Sequence, residues 1–318
     1  METFQTSFHR QWQHLHDPHV RALAWLLTSP NLLDSNSVQW SHHIATLLID
    51  DTDHVHDWLS GLDQHPSVLH QALEIHKHKR LGHYAEDLLA FYLQHQGKLH
   101  ARNLQVNQEN RQTMGEFDFL IQLPAGLLHW EIATKFYLFH CDETISERVP
   151  DAYDFLGPNL ADTLGAKMHK IIKQQLALSH NMTAKLMLSQ PVMRAQALVK
   201  GWLFYHTSHQ THLTLEGIAP DHCRGFWWTL ADLEKIAIPH ALVLPRLAWL
   251  APAQCDEDQV LDRLALLETL HRQMQRDQMP VMVAIMSKHG AVMQEFCRGM
   301  VVPDDWRTRA NEKQRQFR

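Results

Sequence analysis

Between residues 81 and 93 apolar side chains recur three and four positions apart. Leu81, Tyr84, Ala85, Leu88, Leu89 and Tyr92 form one stripe, which predicts an amphipathic helix across KRLGHYAEDLLAFYLQHQ. The pattern then changes to alternation. LHARNLQVNQ, GEFDFLIQL and LLHWEIATKFYLF predict three strands, the last two joined by a short turn. ADTLGAKMHKIIKQQLALS returns to helical spacing, with Leu164, Met168, Ile171, Ile172 and Leu178 on its apolar face, and ALVKGWLFY predicts a fourth strand. Helix, three strands, helix, strand over residues 76–206 predicts a mixed α/β core in which helices cover a sheet. Residues 1–75 predict a helical region, with HVRALAWLL and HHIATLLI as helical stretches and PNLLDSNS and IDDTDHVHD as loops. Residues 207–318 predict an α+β region. Its strands are HLTLEGI, RGFWWTL, HALVLPR and PVMVAIM, its helix is QVLDRLALLETLHRQMQRD, and RTRANEKQRQFR is a basic, polar tail.

The second and third strands carry charges where a core strand carries none. Glu116, Asp118 and Leu120 share one face of the second strand, opposite Phe117, Phe119 and Ile121. On the third strand His129, Glu131, Ala133 and Lys135 lie together. If Gln122 pairs with Leu127 across the turn, Asp118 falls directly opposite Glu131. Like charges so paired destabilise a sheet, so the pair needs a cation. Lys135 supplies part of that charge, and a divalent ion held by Asp118 and Glu131 supplies more. The plainer reading is a solvated sheet face. Two helices weigh against it. Glu86 lies at the border of the first helix's apolar stripe, while Gln175 sits near the centre of the second helix's face and Lys167 on its edge.

Composition narrows the field. The chain has 318 residues, a formal charge of −6 and 26 histidines, so bulk charge does not announce a nucleic-acid partner and any such surface is local. The four cysteines form no C-x-x-C pair, which points to a reduced, cytoplasmic setting. No secretory leader or membrane-length apolar run is visible; HALVLPRLAWLAPA is interrupted by Pro245 and Arg246. P-loop, dinucleotide and G-x-S-x-G motifs are absent. His206, His209 and His212 are spaced like zinc ligands, but chance explains them in so histidine-rich a chain. The acidic run Asp50, Asp51, Asp53 and Asp57 reads as a solvated loop. Trp227 and Trp228 suit either base stacking or a core.

An acid on the first helix, an aspartate on the second strand, and an acid and a lysine on the third resemble the PD-(D/E)XK nuclease superfamily. More closely, RLGHYAEDLLAFYL, GEFDFL, WEIATKFYL, GPNLADTLGAKMHKIIKQQLALS, KGWLFY, LPRLAWLAP and RGMVVPDDW resemble the domain-of-unknown-function 1853 family of bacterial proteins. The superfamily resemblance implies a Mg²⁺- or Mn²⁺-dependent nuclease acting on DNA or RNA. In it Glu86, Asp118 and Glu131 are the metal-site acids and Lys135 the assisting lysine. Their places on the second helix make Lys167 a candidate phosphate contact and put Gln175 near a substrate phosphate or the metal-bound water, if it is not simply a satisfied core glutamine. The usual lysine position, two residues after the acid, holds Ala133 here. That departure keeps a non-catalytic nucleic-acid-binding or interaction protein open as the alternative. Lys77, Lys79, Arg80 and the tail Arg307–Arg318 are candidate phosphate contacts.

Overall fold

A computed structural model describes residues 2–47, 49, 51–74, 80–108, 113–141, 149–208 and 215–317. Four helices come first: α1 (Phe4–Trp12), α2 (Pro18–Thr28), α3 (Thr52–Gln64) and α4 (Ser67–Leu73). Asp17 caps α2 by accepting from the His19 and Val20 N–H groups, with Pro18 in the first turn. Asp51 caps α3 in the same way, so the acidic stretch read as a loop is instead a helix start. HHIATLLI forms no helix where it is described: residues 42–47 run as turn and irregular chain, and Ile44 bridges to Ala197.

The central segment follows the expected order. Helix α5 (Leu81–His95) precedes strands β1 (Leu99–Asn107), β2 (Thr113–Leu123) and β3 (Gly126–Phe139). After a two-residue strand β4 (Phe155–Leu156) come α6 (Leu164–Lys170), a π-helical turn (Ile171–Gln175), a 3₁₀ turn (Leu176–His180), α7 (Met182–Met187) and β5 (Val192–His206). The remainder comprises β6 (Arg224–Thr229), α8 (Leu230–Leu233), β7 (Ala241–Val243), β8 (Gln254–Cys255), α9 (Arg263–Asp277), β9 (Val281–His289), β10 (Val292–Val302) and α10 (Trp306–Phe317). The strand read in HLTLEGI is not formed where it is described, because residues 215–218 are turn and an isolated bridge.

Among the described residues ten strands make one mixed α+β sheet, in the order β1-β2-β3-β5-β6-β10-β9-β7, with β4 beside β3 and β8 beside β10. The β1-β2-β3 meander is antiparallel; β3, β5, β6 and β10 run parallel; β9 and β7 return antiparallel. The sheet therefore crosses the 206/207 segment boundary through the β5–β6 pairing. One face is covered by the N-terminal helices and α5, burying Trp12, Trp25, Leu89, Trp202 and Met300 in one cluster. On the other, α6 packs against Ala133, Tyr137 and Leu203, and α9 against Val283 and Val301. Both tryptophans of the RGFWWTL strand are core: Trp227 belongs to the first cluster and Trp228 to the α9 cluster.

The basic tail is a docked helix. Trp306, Ala310 and Gln314, four residues apart, are buried, and the Gln314 amide donates to the His140 carbonyl at 2.6 Å. Arg307 pairs with Asp232 at 3.0 Å and lies over the Trp227 ring, so it is not a free phosphate contact. His206 is buried between Ser208 and Asp232, at 2.7 and 3.2 Å, while His209 and His212 lie outside the described residues. No disulfide joins the four cysteines, and among the described residues no helix is long and apolar enough to cross a membrane.

Candidate functional site

The β2–β3 hairpin turns on Pro124 and Ala125, with Leu123 paired to Gly126 and Gln122 to Leu127. The ladder continues to Phe119↔Trp130 and stops. At the next step Asp118 and Glu131 would face each other, but the Asp118 carboxylate takes the place of a strand bond. Its Oδ2 accepts from the Ile132 N–H at 3.0 Å. Beyond it β2 stays with β1 and leaves β3. The face alternation breaks here as well. Phe119 and Ile121 enter the large core, while Phe117 joins Leu120 in a separate cluster and meets the His129 ring edge-on at 4.7 Å. Opposite, Asn103 on β1 is left-handed at φ 51°. Phe117 therefore does not share a packing environment with Phe119, contrary to simple alternation. The two strands fork at Asp118.

Glu131 stands at this fork, 1% exposed. A line of hydrogen bonds fixes it. Ser179 Oγ meets His129 Nδ1 at 2.7 Å, His129 Nε2 meets Glu131 Oε1 at 2.9 Å, and Gln175 Nε2 donates to Glu131 Oε2 at 2.6 Å. The π-helical turn that ends at Gln175 sets that amide against the carboxylate. Such turns mark functional sites in many helices. Burial of Asp118, then the charge of Glu131, pushes the Asp118 carboxyl up to about 7. Burial also raises Glu131 to about 7, against hydrogen bonds from Asp118 and the charge of Lys167. The two carboxyls thus hold a proton between them near neutrality. Burial holds His129 at about 4, so its imidazole is neutral. A neutral ring donates from one nitrogen only, and donation from Nε2 to Glu131 leaves Nδ1 to accept from Ser179.

The other sequence candidates surround this pair. Burial, then the charge of Asp118, raises the Glu86 carboxyl, and His83 Nδ1 lies 3.2 Å from its Oε2. Lys135 is half-buried and its pKa is lowered, first by burial and then by the charge of Lys167; Asp162 and Glu86 oppose that shift. The charge of Lys167 on α6 is felt by both Glu131 and Lys135. Ala133, at the usual lysine position, is buried in the α6 core. Lys77 and Lys79 lie outside the described residues. Sequence reading gave no role to His129 or Ser179. The two-residue spacing of His129 and Glu131 on one strand face was the available signal, and Ser179 offered none.

The fit to a metal ion rests on the donor set. Asp118 and Glu131 offer only oxygen, which suits a hard cation such as Mg²⁺ or Mn²⁺. The Gln175 Oε1 atom beside them is buried with no hydrogen-bond partner among the described residues. Among those residues no three His, Cys, Asp or Glu side chains are grouped to hold an ion. Any ion there would take its remaining ligands from water and from substrate, as Mg²⁺ commonly does.

Past the fork β3 has an open edge. From Glu131 to Tyr137 no strand of the described residues pairs with it on the β2 side, until β4 meets Leu138 and Phe139. A cavity of about 440 Å³ lies against this edge, with Arg80, Thr134, Lys135, Asp162, Arg246 and Trp249 in its wall.

No curated protein and no solved structure matches the chain. A family model described as a domain of unknown function matches residues 21–302, which takes in the fork, its flanking helices and the sheet as far as the end of β10. The chain belongs to the DUF1853 family.

Proposed function

We propose that the chain is a metal-dependent phosphodiesterase of the PD-(D/E)XK type, acting on DNA or RNA. The observation that carries this reading is the Asp118–Glu131 pair at the fork, Glu131 buried and Asp118 half-buried, with Glu86 approaching from α5. The order α5, β1–β3, α6, β5 supports it. Asp118 and Glu131 would hold Mg²⁺ or Mn²⁺, with Glu86 beside them. When bound, such an ion polarises a phosphoryl oxygen and makes a coordinated water acidic. The protein's own groups do the rest. His129 and Gln175 lock the Glu131 carboxylate in one orientation, which preorganises it. The raised Glu86 carboxyl is suited to accept a proton from water. Lys167 and Lys135 bring positive charge towards the phosphate.

A second reading, a nucleic-acid-binding protein that does not cut, draws on two observations. Ala133 replaces the usual lysine, and both Glu131 oxygens already have protein donors. One experiment separates the two. Mn²⁺ is titrated into the purified chain, Asp118→Ala and Glu131→Ala, with folding checked by circular dichroism, and the same proteins are incubated with labelled DNA and RNA. The nuclease reading expects metal binding and cutting by wild type alone. Strand binding without cutting in any of the three would favour the second reading.

A further inference from the structure

The cavity at the open edge of β3 has an unusual charge balance. Arg80, Lys135 and Arg246 line it, and among the described residues none of the three forms an ion pair or side-chain hydrogen bond with another side chain. Arg246 lies over the Trp249 ring at 4.7 Å, which orients its guanidinium without neutralising it. The one acid in the wall, Asp162, accepts from the Tyr137 hydroxyl at 3.1 Å. Three cations therefore face one engaged carboxylate. Unpaired positive charge gathered in a concave site attracts an anion.

Three further features suit a phosphate. The backbone groups of a strand alternate between its two edges. The Ile132 N–H points to the Asp118 side, so those of Thr134 and Phe136 point to the same open edge, where the cavity lies. Thr134 Oγ1 is buried without a hydrogen-bond partner among the described residues. The first turn of α5 also enters the wall, and Arg80 at its cap position makes no side-chain cap, which adds N–H donors to the cations already there. Lys135 links the cavity to the fork, since its ammonium feels the charge of Glu86.

We propose that this cavity is a phosphate subsite, with Arg80 and Arg246 as its arginines, and that it holds a phosphate of the bound strand beside the one at the carboxylate pair. The strand assignment rests on the nuclease reading; the phosphate chemistry does not. Two probes keep them apart. Inorganic pyrophosphate is titrated calorimetrically into the full chain in EDTA. A fluorescein-labelled single-stranded oligonucleotide is titrated by anisotropy, again in EDTA. Wild type is compared with the double variant Arg80→Ala/Arg246→Ala and with Arg80→Lys/Arg246→Lys. Both arginines are exposed, so the double variant is expected to fold. Pyrophosphate should bind wild type and displace the oligonucleotide. The alanine pair should weaken both ligands at least tenfold, and the salt dependence of strand binding should become shallower by about 0.7 for each phosphate no longer held. The lysine pair should recover part of the affinity. Equal pyrophosphate binding by wild type and the alanine pair, or none by wild type, overturns the subsite and leaves the nuclease reading to its own cutting assay. Pyrophosphate binding that depends on the arginines, with no strand bound by any form, overturns the strand assignment instead.

Discussion

Glu131 is a carboxylate kept in the interior of a sheet by three neighbours: a neutral histidine, a glutamine amide and a second carboxyl that shares its proton. That sharing has a thermodynamic consequence. In the unfolded chain both carboxyls titrate at ~4; in the folded chain they titrate at about 7. Between those limits the folded state binds more protons, so their contribution to stability is complete below about pH 4 and is lost as pH rises through about 7. Urea denaturation in EDTA from pH 4.5 to 7.5 should therefore show a steeper fall in stability for wild type than for Asp118→Asn. Other groups, including many histidines, titrate in both proteins and cancel in the comparison. Parallel curves would mean that the carboxyls do not share a proton.

At the level of elements, β3 is held to β5 through an approach that only glycine permits. Gly201 sits at φ 152°, paired with Lys135, and a Cβ built on it would lie 1.8 Å from the Lys135 carbonyl oxygen. Gly201→Ala should cost at least ~2 kcal/mol, since it joins backbone strain to a steric clash. The measurement is an equilibrium denaturation curve, and a loss under about 0.5 kcal/mol, the range of an ordinary surface substitution, would show that the strands part easily there. Much of this element structure is legible in the sequence. The stripe of α5 and the alternating positions of β2 and β3 can be seen in the sequence, and the turn length alone brings Asp118 to Glu131. The fork is not legible, because it depends on a side chain replacing a ladder bond. Nor is β10. Gln294, Glu295 and Arg298 interrupt its apolar pattern, yet all three are buried because they are satisfied locally. HHIATLLI misleads for the opposite reason: Ile44 and Ala45 are buried in a connector, and apolar spacing does not separate that from a helix. The helix α10 hides behind its charges, because Trp306, Ala310 and Gln314 are a thin stripe for a pattern to show.

Across the whole molecule, one buried ion pair ties the C-terminal strands to the wall of the cavity. Arg298 and Glu295, both side chains at 0% exposure, meet at 2.6 and 2.7 Å. The same guanidinium donates to the carbonyls of Trp249 and Ala251 and lies 4.1 Å over the Trp202 ring. Arg298→Met leaves Glu295 buried without its cation and should cost ~3–5 kcal/mol, whereas adding Glu295→Leu should return a large part of that loss. Thermal and urea unfolding of the two variants decides the matter, and a double variant no more stable than the single one would refute the pairing.

The passage of the sheet from β5 into β6 also bears on how this protein is inherited. A fragment ending at His206 would leave the end of β5 as a bare edge of buried residues, from Leu203 to His206, and such edges recruit other chains. Expression of residues 76–206 should yield aggregate, detectable by sedimentation, where the full chain stays dispersed. The fork cannot then be lent to another protein as a cassette. A gene fusion or duplication that kept the fork folded would have to carry the C-terminal strands with it.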